Sequence, residues 1–265
     1  MAKHKSSQNG VETSGKQKDK SPIVPQRDKI SCELHIQQRD DLTDRQKELI
    51  NLVLAKDTKI VFVTGPAGTS KTYCAVLAGL MLMNKKSVSD ILFIRNIVES
   101  ATKSLGSLPG EQDDKFAPFL QPLLDKLDEL LPKQEVRMLQ KEERVQGFPV
   151  NYLRGASFNA KCIIVDETQN LSRGEIQTVI TRFGKFSKMI ICGDAMQSDI
   201  GKTSGFQHIV DLFNDESCRE NGIYHFAFTK DDIVRSGVLK FIVERLEFDA
   251  NKTAQIKNEP MFPIK

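Results

Sequence analysis

Gly65-Pro66-Ala67-Gly68-Thr69-Ser70-Lys71-Thr72 has the residue types and spacing to grip a polyphosphate. Small residues let successive backbone N–H groups turn inward, and the start of a following helix adds free N–H groups and a positive dipole end. Lys71 supplies a cation for the β/γ-phosphates, and the Thr72 hydroxyl supplies a ligand for Mg²⁺. The flanks agree with that chemistry. Lys59–Thr64 is a short apolar, β-branched run that reads as a buried strand, and Tyr73–Met83 reads as a buried helix. The residues from Gly65 through Tyr73 are therefore expected to bind a nucleoside triphosphate. One residue departs from the usual pattern: Ser70 stands where Gly commonly precedes the Lys. Its side chain is small, but a positive φ there would be strained without Gly.

Two further apolar runs end in polar groups suited to the same reaction. Cys162–Val165 leads into Asp166-Glu167-Thr168-Gln169. Asp166 is placed to hold Mg²⁺ opposite Thr72, and Glu167 to polarise an attacking water. Taken alone, the pair also suits a helix cap followed by a first-turn Glu; beside a P-loop, the catalytic reading prevails. Met189–Cys192 leads into Gly193-Asp194-Ala195-Met196-Gln197, where the Gln197 amide could meet a γ-phosphate or order the water, or be an ordinary loop amide.

The elements that must position these groups alternate. Apolar strands are expected at 59–64, 91–94, 162–165, 188–192 and 222–228, with another strand or edge at 149–153. Helices are expected at 43–53 (capped by Thr43), 73–83, 116–131, 133–144, 173–183, 206–213 and 237–248. That order implies an α/β domain with a mostly parallel sheet and helices on both faces, binding ligands beyond the carboxyl ends of its strands. Its expected extent is 36–249, between a basic disordered tail at 1–35 and a loose tail at 250–265.

Composition narrows the class. At 265 residues, 39% hydrophobic and 28% charged, the chain suits one soluble α/β domain. No apolar stretch is long enough to span a bilayer or to serve as a signal core, so a cytoplasmic location without membrane contact is expected. The five cysteines include no C-x-x-C pair and the four histidines are scattered, so reduced thiols are expected and no histidine metal site. Residues 1–30 hold seven Lys/Arg against three Asp/Glu, leaving 31 against 32 in the remainder. Nucleic-acid binding must then come from a local channel, the tail, or a modest site repeated in an oligomer.

Together, the P-loop, the Asp166-Glu167-Thr168-Gln169 segment and Gly193-Asp194-Ala195-Met196-Gln197 resemble the PhoH-like family of P-loop ATPases. That family is similar to the first RecA-like domain of superfamily 1 helicases. Leu105–Gly110, Tyr152–Gly155 and Asp232-Ile233-Val234-Arg235 support the resemblance, which spans roughly 42–245. Ser236 departs from it, since His commonly follows that Arg. The resemblance implies a single RecA-like domain, ATP with Mg²⁺, single-stranded RNA or DNA as partner (RNA being favoured), possible helicase activity, and a homo-oligomeric, hexameric ring. It implies that Gln46, otherwise a solvated helix residue, reads adenine through its amide, favouring ATP over GTP. It also implies a finger role for Arg235, in which a guanidinium from one subunit meets the γ-phosphate held by its neighbour. A nucleotide-dependent switch or scaffold without helicase activity, and a small-molecule kinase, are the rival functions.

Overall fold

The computed structural model describes residues 28–96, 112–153 and 157–234, together with Val238, Phe241, Ile242 and Arg245; of 112–118 only the helical backbone is described. Helix α1, Asp44–Leu54, opens with a reciprocal cap. The Thr43 hydroxyl accepts from the Gln46 N–H, and the Gln46 side chain accepts from the Thr43 N–H. Strand β1 (Ile60–Thr64) then runs into the P-loop and α2 (Lys71–Asn84), which has ten buried residues. The order continues with β2 (Asp90–Arg95), α3 (Gln112–Leu130), α4 (Lys133–Lys141), β3 (Val145–Phe148), β4 (Lys161–Asp166) and α5 (Arg173–Ile180). Strand β5 (Lys188–Gly193), α6 (Phe206–Leu212), α7 (Glu216–Glu220) and β6 (Ile223–Ala227) complete the described elements.

The six strands form one parallel sheet in the order β3-β2-β4-β5-β1-β6. Side chains alternate across each strand, so the buried strands feed two cores. Val61, Val63, Ile91, Phe93, Ile164 and Ile190 pack with α1 to α4 on one face. Phe62, Leu92, Ile94, Ile163, Val165 and Ile191 pack with α5 and α6 on the other. The described residues thus form the expected α/β architecture, a parallel sheet with helices on both faces. Register sets the site: Thr64 pairs with Gly193, Val165 with Ile191, and Arg95 with Asp166. The chain therefore leaves β1, β5 and β4 side by side along one carboxyl edge.

Three expectations shift. The strand expected at 149–153 lies upstream, at Val145–Phe148, and Val150–Tyr152 forms a 3-10 turn. Pro149 has no N–H to continue the ladder. Gly147 is needed inside β3, because a Cβ there would meet the Leu120 backbone at 2.7 Å. The helix expected to reach Arg144 stops at Lys141, and Glu143 turns with φ +51°. Order also begins before residue 36. Ile30 and Leu34 are buried in the first core, and the Asn84 side chain accepts from the Leu34 N–H and donates to the Leu34 carbonyl. Short α7, with Asp215 accepting from the Cys218 N–H, was not anticipated. Val238, Phe241, Ile242 and Arg245 are helical within the expected final helix. The tails 1–27 and 250–265, the segment 99–110, and Arg154, Gly155, Arg235 and Ser236 lie outside the described residues.

Candidate nucleotide site

A cleft of about 290 Å³ opens over the carboxyl ends of β1, β4 and β5. Ala67, Gly68, Ser70, Lys71, Thr72 and Tyr73 line one side; Asp166, Glu167, Gln169, Gly193, Asp194 and Gln197 line the other. The expected catalytic and metal-binding positions that are described thus share one cavity.

Local geometry explains the loop. Gly65 has φ +147°, and a Cβ there would stand 2.6 Å from the Phe228 Cβ; Gly68 has φ +88°. Ser70 adopts φ +65°, ψ +30°, the left-handed conformation that its sequence position made a concern. Such a residue costs on the order of 1 kcal/mol without Gly. Neighbours hold it there. Arg39 Nη2 donates to Ser70 Oγ at 3.1 Å, the Arg39 backbone N–H donates to the Tyr73 hydroxyl at 3.0 Å, and the guanidinium lies 4.1 Å from the Tyr73 ring centroid. Inside the loop, Thr69 Oγ1 donates to the Pro66 carbonyl at 2.9 Å. Lys71 Nζ donates to the Gly65 and Pro66 carbonyls at 2.5 and 2.9 Å.

Gln46 is fully buried and is not among the cleft-lining residues. Its Oε1 accepts from the Thr43 N–H and its Nε2 donates to the Thr69 carbonyl at 3.2 Å. It is neither a solvated helix residue nor, in this conformation, open to a base: its amide braces the P-loop from behind.

Across the cleft, Thr72 Oγ1 donates to Asp166 Oδ1 at 2.9 Å. Burial first, and then the neighbouring Glu167 charge, push the Asp166 carboxyl up to about 6; the Thr72 hydrogen bond and Arg95 oppose them. A hydroxyl and a desolvated carboxylate at hydrogen-bonding distance are the hard oxygen donors that Mg²⁺ takes alongside phosphate and water. No cluster of three or more His, Cys, Asp or Glu able to hold a metal occurs among the described residues. Two oxygen donors, the Thr72 hydroxyl and the Asp166 carboxylate, fit a cation whose remaining ligands come from a polyphosphate and water.

Glu167 has φ +50°, which turns its side chain away from the strand path. Its Oε2 accepts from Gln169 Nε2 at 2.5 Å, and Gln169 Oε1 accepts from the Asp194 N–H at 3.0 Å. Gln197 is exposed on the short turn after β5, its N–H donating to the Asp194 carbonyl at 3.0 Å. Arg235 lies outside the described residues, but the preceding Val234 lines the cleft, and its N–H donates to the Gly68 carbonyl at 3.3 Å. Sequence reasoning gave no role to Gln169, Arg39 or Lys126, all of which line the cleft. Gln169 stood inside a quoted motif, whereas Arg39 preceded the first expected helix and carried no signal.

A parallel α/β sheet with a P-loop after β1 and an acid pair at the end of β4, separated from β1 by β5, defines a P-loop nucleotide-binding protein. The chain belongs to the family described as PhoH-like protein, whose model matches residues 39–247. It is 32% identical over 211 residues to a PhoH-like protein of Synechocystis, covering 79% of this chain and 62% of that protein. It is 33% identical over 199 residues to a PhoH-like protein of Bacillus subtilis, covering 75% and 61%. With Protein PhoH of Escherichia coli the identity is 30% over 201 residues, covering 74% and 55%. The chain thus spans less than two thirds of the length of these relatives. Among solved structures, a Pif1 helicase from Candida albicans is similar with a TM-score of 0.30 and 13% identity, over 71% of this chain and 40% of that one.

Proposed function

We propose that this chain binds ATP with Mg²⁺, hydrolyses it, and couples turnover to single-stranded RNA or DNA as a homo-oligomer. The observation that carries this reading is the convergence of Lys71, Thr72, Asp166, Glu167 and Gln197 on one cleft. In this account the P-loop N–H groups and Lys71 grip the β- and γ-phosphates, with Lys71 exchanging the Gly65 and Pro66 carbonyls for phosphate oxygens. Thr72 and Asp166 hold Mg²⁺, which supplies charge neutralisation on the phosphates. Glu167 takes a proton from the attacking water, and the neutral Gln197 amide hydrogen-bonds the transferring group. Arg235 stabilises negative charge as the γ-phosphoryl departs.

The likeness of the P-loop, Asp166–Gln169 and Gly193–Gln197 motifs to those of superfamily 1 helicases supports the coupling, as does the position of the cleft at the carboxyl edge, where loops are free to respond to the γ-phosphate. The decisive assay is Mg²⁺-dependent phosphate release with and without poly-U or single-stranded DNA. Stimulation by either polymer is expected, and more by poly-U. Turnover indifferent to both would leave a nucleotide-dependent switch or scaffold; no turnover at all would overturn the ATPase reading. Mass determination with and without nucleotide tests the hexameric ring.

A further inference from the structure

Gln169 joins two turns that the sequence keeps apart. Its Nε2 donates to the Glu167 carboxylate and its Oε1 accepts from the Asp194 backbone N–H. The partners fix the amide orientation, since a carboxylate needs a donor and an N–H needs an acceptor. The Gln169 carbonyl also accepts from Ser198 Oγ at 3.0 Å. Next to it, Asn170 Nδ2 donates to Asp199 Oδ2, while Asn170 Oδ1 accepts from the Asp199 N–H, both at 2.8 Å. Residues 167–170 and 194–199 are thereby latched at four points. Within this latch, Gln169 is the side chain that reaches the expected base. It is 2% exposed, so its bonds are shielded from competing water.

We propose that Gln169 is a positioning residue: its amide aims the Glu167 carboxylate and ties that carboxylate to the turn carrying Gln197. Glu167 and Gln197 then move together, so a displacement of the γ-phosphate contact at Gln197 also turns the base. This rests on the ATPase reading above, in which Glu167 activates water. A tie that only maintained the fold would need the Asp194 bond; a tie that positions the base needs the Glu167 bond as well. Gln169→Glu separates the two. It keeps the length and an acceptor for the Asp194 N–H, but sets a carboxylate against Glu167.

The test measures thermal midpoint, nucleotide affinity and single-turnover ATP hydrolysis for the wild type, Gln169→Ala, Gln169→Glu, Glu167→Gln and the Glu167→Gln/Gln169→Ala double variant. Both Gln169 variants are expected to stay folded and to bind ATP within about threefold of wild type, while the chemical step slows roughly tenfold or more. In the Glu167→Gln background, Gln169→Ala is expected to change the residual rate by less than about twofold, because a residue acting through Glu167 has nothing left to position. A Gln169→Glu protein with wild-type turnover would overturn the proposal. So would an equal loss from Gln169→Ala in both backgrounds, or failure of both single variants to fold, since either would assign Gln169 to the scaffold. A wild-type protein that does not hydrolyse ATP is a different result, removing the ATPase reading and this inference with it.

Discussion

At Ser70 the backbone turns left-handed on a residue that lacks glycine's freedom, and the Arg39 guanidinium holds the hydroxyl there. Ser70→Gly relieves about 1 kcal/mol of backbone strain but gives up one hydrogen bond of similar size. Stability and ATP affinity should then stay close to wild type in thermal melts and nucleotide titrations; a large loss of affinity would show that the Arg39–Ser70 contact serves binding. Asp166 supplies a pH prediction. Burial raises its folded carboxyl to about 6 from the ordinary 3.8, so the folded chain holds a proton that the unfolded chain releases earlier. Stability from this group is present below pH 3.8 and is lost as pH rises through about 6. In EDTA, Asp166→Asn should therefore melt above wild type at pH 7 to 8, with the gap closing toward pH 4. A variant no more stable at pH 8 than at pH 4, relative to wild type, would contradict the desolvation argument. The strain at Ser70 was legible from the missing glycine alone. The brace made by Gln46 and the bridge made by Gln169 were not, because each depends on a partner brought close only by folding.

Among elements, the strands on either side of the site were legible because a strand buried on both faces must be almost continuously apolar. β3 was misplaced for the same reason: Val145-Gln146-Gly147-Phe148 is short, broken by Gln and Gly, and followed by a more apolar segment. Polar burial at the opposite end of the sheet was equally hidden. Asp90 at the start of β2 and Lys161 at the start of β4 are each 2% exposed and paired, with Arg144 Nη1 3.4 Å from Asp90 Oδ1. Removing one member leaves charge buried without compensation, so Asp90→Ala should destabilise by about 3–5 kcal/mol. Urea unfolding checks this, and a change below 1 kcal/mol would mean that the cluster relaxes into water. Since β2 and β4 pair along their length, the variant should also loosen Asp166 at the far end of β4.

At the scale of the whole molecule, the question is whether one subunit completes its own site. The resemblance implies an Arg235 finger reaching a neighbour, yet Val234 is hydrogen-bonded to Gly68 of its own P-loop. If the finger reading holds, mixing Lys71→Ala and Arg235→Ala subunits, each inactive alone, should restore part of the ATPase activity. Mixed oligomers that recover no activity would assign Arg235 to the site of its own chain. Sequence alone could not separate these outcomes, because a motif names a residue without saying whose nucleotide it faces.

The central claim is that the cleft hydrolyses ATP with Glu167 as the base, and single-turnover hydrolysis beside equilibrium ATP binding tests it most directly. Glu167→Gln preserves shape and the capacity to bind, but removes the proton acceptor. The account predicts ATP affinity near wild type and a chemical step slowed by roughly 10²-fold or more. Wild-type single-turnover rates in a folded Glu167→Gln protein would contradict it.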